Sequence, residues 1–278
     1  MTVRGVPSTS PTERRSLSFL AAMGWTVGGA LLPALAVAIT DEVRPGMSAD
    51  LINLTACQLL MYSVLVLAMV RVYEPDARLR DVMAIRRVAV LPTLVVAIAG
   101  AALAPPLAAI DSLVQRRFPL TAEEIEQIDK LTIATTWAQR ITILVAFVVV
   151  TPLGEALFFQ GLIYGGLRRG RVSLLAVLGT TTLFAMWRDP RTMASMVALG
   201  FVLSWLRSRS GSVVPVLVAS VTFYLVPVAP ILAGRGDIDH YPLPWVFGGL
   251  ALCAGATALA GWLFTINDRS LDARLRDG

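Results

Sequence analysis

Apolar residues fall in long, nearly unbroken blocks along this chain, at residues 17–40, 51–70, 88–110, 141–167, 172–187, 192–206, 212–234 and 244–266. A bilayer core about 30 Å thick needs about 20 residues of apolar helix, because no backbone N–H or C=O can be left unpaired in lipid. The pattern therefore predicts an all-α protein, a polytopic transmembrane bundle of about eight spans. It forms a single integral membrane domain over residues 1–278, with polar tails at 1–16 and 267–278. The fourth block is overlong and contains Pro152, which predicts a kink or tilt. The fifth and sixth are short and joined only by RDPR. They either cross twice or form a short hairpin.

Composition agrees with the pattern. Of the 278 residues, 56% are apolar and 15% charged, against about 45–50% and about 25% in soluble domains. That leaves too little polar surface for a water-exposed globule, and excludes a soluble enzyme, a disordered chain or a nucleic-acid binder. The net charge of +5 comes from arginines between the apolar blocks, and Lys130 is the one lysine among 24 basic residues. Such arginine usage fits a GC-rich bacterial genome. With a cytoplasmic N-terminus and one crossing per block, 16 of the 24 fall on the inner side. The positive-inside rule then places both termini in the cytoplasm of a bacterial plasma membrane. Ala36-Val37-Ala38 offers a signal-peptidase pattern, but the run at 17–40 exceeds the usual apolar region of about 7–15 residues. The expectation is an uncleaved first span.

Two segments between blocks carry helical patterns. Residues 74–87, with Leu79, Val82, Met83 and Ile85 among arginines, suit a short helix on anionic lipid or an ordinary basic loop. Residues 120–131 open with Thr121 and Glu124 in capping-box spacing. Their glutamates lack a histidine or cysteine companion and read as the solvated face of a short outer helix. Cys57 and Cys253 lie in apolar stretches, and the single histidine, His240, lies in a polar loop. Neither a disulfide framework nor a zinc site follows, and no metal or other cofactor is expected.

The chemical signature lies in 151–171, TPLGEALFFQGLIYGGLRRGR. Glu155 is the one acid placed within a span, and an intramembrane carboxylate costs about 2.5–3.5 kcal/mol on insertion scales, which marks a functional site by default. Glu155-Ala156-Leu157-Phe158-Phe159-Gln160-Gly161 follows Pro152 and precedes Leu167-Arg168-Arg169. Phe184-Ala185-Met186-Trp187-Arg188 lies on the next block, and Gly211-Ser212-Val213-Val214-Pro215 leads to Ser220 and Tyr224. In this order, across a motif core at 140–225, the chain resembles the CPBP family of CAAX-processing and bacteriocin-processing intramembrane proteases. That family is marked by EExxxR, FxxxH and a histidine followed four residues on by asparagine. The resemblance implies a helical membrane protease fold whose motif residues share one cavity.

The departures fall on the chemistry. Relative to those motifs, only Glu155 matches; Ala156, Gln160, Arg188, Ser220 and Tyr224 stand where the family has glutamate, arginine, histidine, histidine and asparagine. Hydrolysis needs a water deprotonated near neutral pH, a task suited to histidine. Guanidinium stays protonated and cannot serve as that base, though it can pair with Glu155. One carboxylate with Ser, Gln and Tyr makes a poor metal site, and Ser220 lacks an activating base. Four classes of function stay open. The first is a non-catalytic homologue that binds membrane-anchored proteins or peptides, or assists an intact family protease or a transporter. The others are an active divergent endopeptidase using Glu155, a small transporter subunit, and a structural membrane subunit.

Overall fold

A computed structural model of the chain describes residues 17–168, 174–234 and 241–276, with side chains to 266. The tail at 1–16, Arg169, Arg171 and His240 lie outside the described residues. Every regular element among the described residues is helical. In chain order they are α1 (Phe19–Val43), α2 (Leu51–Tyr73), α3 (Leu79–Val82), α4 (Val90–Arg117) and α5 (Ala122–Thr132). Then come α6 (Trp137–Leu167), α7 (Leu174–Met186), α8 (Met193–Ser210), α9 (Val213–Leu232) and α10 (Leu243–Arg276). Six of them, α1, α2, α4, α6, α9 and α10, are long and apolar enough to cross a membrane. The bundle is therefore six long helices plus the shorter α7–α8 pair. The segment 267–276, expected as a tail, continues α10 as helix.

Polar caps begin the helices where the blocks start. Ser18 accepts from Ala21 N at 3.1 Å, Asp50 from Ile52 N at 2.8 Å, and Ser212 from Val214 N at 3.3 Å. Each satisfies an amide that the first turn leaves without a partner. α4 lies at the centre, packed along α9 and α10. Gly100 makes the α4–α9 approach close, because a side chain there would run into the Ala219 carbonyl and the Thr222 hydroxyl. Small residues serve the same end wherever membrane helices must touch by their backbones.

The thirteen residues of α7 span about 20 Å at 1.5 Å per residue, short of a bilayer core. The turn that follows it nonetheless brings the α7–α8 tip to α5. There Arg191 Nη1 donates to Glu124 Oε1 at 2.9 Å. Glu124 closes the capping box with Thr121 and so anchors the hairpin tip as well as its own helix.

The 74–87 segment departs from the amphipathic-helix expectation. It is helical only over Leu79–Val82, and Ala84 takes a positive φ of 50°. Met83 turns inward and is buried against Gly161. Val213 N donates to Ala84 O at 3.2 Å, which pins the strap to the start of α9. Met83, with Val82 partly buried beside it, thus seals the end of the bundle opposite α5, while Leu79 and Ile85 stay exposed.

Candidate functional site

The path of α6 sets the site. Pro152 lacks an N–H and its ring crowds the carbonyl four residues back. The helix loosens before it into π-helical turns over Leu144–Val150, with Thr151 Oγ1 donating to Ala146 O at 3.0 Å. A second π-helical stretch covers Ala156–Ile163. Glu155 closes the single α-helical turn between them, Thr151–Glu155. Wide turns of this kind concentrate at functional sites.

Glu155 is 4% exposed. Arg188 Nη2 donates to its Oε1, and Tyr224 OH donates to Oε2 at 2.9 Å. Arg188 Nη2 also reaches the Tyr224 oxygen, so the three groups close on one another. The guanidinium comes from just beyond the last turn of α7, and its side chain is 25% exposed. Its carbon lies 5.8 Å from the Tyr224 ring centre and 6.0 Å from that of Phe184. The carboxylate is thereby neutralised and both its oxygens are occupied by donors.

Aromatic rings enclose the trio. Trp187 stacks on Tyr62 with centroids 5.9 Å apart, and meets Phe159 edge-on at 5.4 Å and Phe158 at 5.7 Å. Gly154, beside Glu155, takes the Tyr62 ring directly against its Cα. On the other side of this wall a cleft of about 770 Å³ opens between α1 and α2, lined by Pro33, Val37, Gln58, Tyr62 and Trp187 among others. Trp187 therefore forms both the floor of the cleft and part of the wall around Glu155.

Three of the motif positions meet and three do not. Gln160 is 1% exposed but lies one turn deeper along α6, where its Nε2 donates to Ser204 Oγ of α8 at 3.0 Å. Ser220 is buried on α9 one turn before Tyr224, and among the described residues no hydrogen bond joins it to the trio. Ala156 is buried beside Glu155. Tyr62, Trp187, Ser204 and Arg207 complete the surroundings, and their spacing in sequence gives no sign of this. Among the described residues no group of three His, Cys, Asp or Glu side chains converges. Arg188 and Tyr224 each donate to one oxygen of Glu155.

Chemically, the trio can hold a buried charge balance and a rigid joint between α6, α7 and α9. Glu155 is the one carboxylate of the trio, and each of its oxygens accepts from one donor. No curated protein and no solved structure matches the chain. A family model described as type II CAAX prenyl endopeptidase Rce1-like matches residues 137–226, the stretch that carries Glu155, Arg188 and Tyr224. Over that third of its length the chain is similar to the Rce1-like CAAX prenyl endopeptidases, in agreement with the CPBP resemblance of its three motifs.

Proposed function

We propose that the protein is a non-catalytic homologue, a pseudoenzyme, of the CAAX-type intramembrane proteases. It binds membrane-anchored proteins or peptides, or assists their processing or transport by an intact protease or transporter. The observation that carries this reading is the closed trio of Glu155, Arg188 and Tyr224. A carboxylate whose oxygens both accept from donors, one of them cationic, is a weak base toward water. The matched segment, residues 137–226, contains no histidine. The arginine distribution supports a bacterial plasma membrane as its location, with both termini cytoplasmic.

The test is a peptidase assay on the purified protein in lipid nanodiscs, using lipid-anchored and CAAX-like peptides. No cleavage above background is expected from the wild type or from Glu155→Gln. Cleavage by the wild type that disappears in Glu155→Gln overturns the reading in favour of an active, divergent endopeptidase.

A further inference from the structure

The buried charge that the trio leaves unexplained is Arg207. It projects from the last turns of α8 and is 3% exposed. Its Nε donates to the Gln160 backbone oxygen at 2.9 Å, and its guanidinium lies 5.3 Å from the centre of the Tyr164 ring. Its Nη1 is buried without an acceptor, and the Tyr164 hydroxyl beside it is also unsatisfied. No ion pair among the described residues includes Arg207. The charged groups that act on it are Arg168 and Arg86, both positive. Arg168 ends α6. Arg86 is exposed on the strap, its backbone clamped at both N–H and C=O by the Ser212 hydroxyl at 3.3 and 3.1 Å.

The positive charges of Arg168 and Arg86 thus bear on a buried cation that, among the described residues, has no carboxylate of its own. A buried charge left uncompensated is strongly destabilising, and arginines within membrane segments almost always find a partner. A water molecule would satisfy the N–H of Nη1 and leave the charge unbalanced. An anion satisfies both. Guanidinium forks match phosphate oxygens, and basic pockets at helix ends receive anionic headgroups. The level in the bilayer is also that of a headgroup, because Arg209, exposed two residues on, lies over the ring of Trp205 at 5.3 Å, a pairing suited to the interface.

We propose that Arg207 and Arg86 form a binding site for the phosphate group of an anionic phospholipid, with Arg207 as its floor. The site is separate from Glu155 and stands whether or not the protein cleaves peptides.

The test uses the full-length protein purified in detergent, titrated with phosphatidylglycerol, phosphatidylcholine or inorganic phosphate, and read by native mass spectrometry and thermal unfolding. Phosphatidylglycerol is expected to bind and raise the unfolding temperature, and phosphatidylcholine to do neither. Near an anionic headgroup each basic residue contributes about fivefold in affinity, so Arg86→Gln is expected to weaken phosphatidylglycerol by about that factor. Arg207→Gln is expected to weaken it by more than tenfold, since its charge is the desolvated one. Arg86→Gln leaves the backbone clamp intact and keeps the test valid should Arg207→Gln fold poorly. Arg209→Gln, at the same end of α8 but exposed and engaged with Trp205, is expected to change affinity less than twofold. Equal losses in all three variants would mean a diffuse basic surface and overturn the site. Equal protection by inorganic phosphate would assign the site to a soluble phosphate and overturn the lipid. Equal binding of phosphatidylcholine overturns both.

Discussion

Arg188 and Glu155, thirty-three residues apart, are joined by a direct ion pair between the end of α7 and the middle of α6. One partner is enclosed and the other retains an exposed edge. Arginine can do this because its aliphatic stem follows an apolar wall while its head reaches a polar partner. The pair converts an expensive lone carboxylate into a balanced one. A cation beside the carboxylate makes it a weaker base.

The first prediction concerns that coupling. Glu155→Gln strands a desolvated guanidinium, and breaking a buried pair from one side costs about 3–5 kcal/mol. The exposed edge of Arg188 lets water recover part of this, so the lower end of the range is expected. Glu155→Gln with Arg188→Gln together should lose less than the sum of the single changes, by about 1–3 kcal/mol. Tyr224→Phe removes one hydrogen bond to a charged group and should cost about 1.5–3 kcal/mol. Thermal unfolding in detergent measures all of these. Additive losses for Glu155 and Arg188 would show that the two act independently.

A second prediction concerns Trp187. Its ring enters the space left by Gly29 of α1, where an added Cβ would stand 2.5 Å from Cζ3 and 2.6 Å from Cη2. Tyr62, Phe158 and Phe159 pack around the indole from the site side and leave it little room to retreat. Gly29→Ala is expected to cost about 1–3 kcal/mol, as overpacking does, and to perturb Trp187 fluorescence. Gly24→Ala, with open space around the same atom position, should leave both unchanged. Matching behaviour of the two variants would separate Trp187 from α1.

Much of this was legible in the chain. Block length gave the long spans, because lipid leaves the backbone no alternative to helix. The Arg188–Glu155 pairing followed from a lone intramembrane acid and a cation standing in the next motif. Gln160 was misplaced because motif spacing reports residues along one helix but not their depth against the next. Five residues of rise, about 7 Å, bring it to Ser204 and Arg207 instead of Tyr224. The inward turn of Met83 was hidden for a related reason: a basic strap with four apolar residues reads equally well as lying on lipid or sealing a bundle. The Tyr62–Trp187 wall rests on long-range packing that no local pattern encodes.

A pH effect is expected at the hairpin tip. The Arg191 hydrogen bond, helped by Thr121, holds the exposed Glu124 carboxyl down at about 2. A depressed carboxyl supports the folded contact above its unfolded value and releases it as pH falls toward the folded one. Protection of the amides of 189 and 191–193, taken relative to the intrinsic exchange rate at each pH, should therefore persist at pH 5 and fall between pH 4.5 and 2, the range the two values bracket. In Arg191→Gln the exchange should be fast throughout. A tip that exchanges equally in both proteins across this range would show that the contact does not hold it.

The last prediction concerns whether the scaffold can be returned to chemistry. Arg188→His and Tyr224→Asn together remove both donors that occupy Glu155, and place an imidazole where the guanidinium was. Histidine then offers a base near neutral pH beside a released carboxylate. Ala156→Glu and Ser220→His supply the other family groups from buried positions on α6 and α9. The fifth change, Gln160→Arg, meets an obstacle: the space beside residue 160 already holds Ser204 and the guanidinium of Arg207. Two guanidiniums there repel in a low-dielectric setting, so the five-fold variant is expected to unfold at a lower temperature than the wild type. Adding Arg207→Gln should restore part of that loss by removing one charge. The six-fold variant, assayed with lipid-anchored peptides, is the one expected to gain measurable hydrolysis. If the five-fold and six-fold variants are equally stable, Arg207 does not occupy the place of the family arginine. If a folded six-fold variant cleaves nothing, the scaffold has lost more than its motif residues.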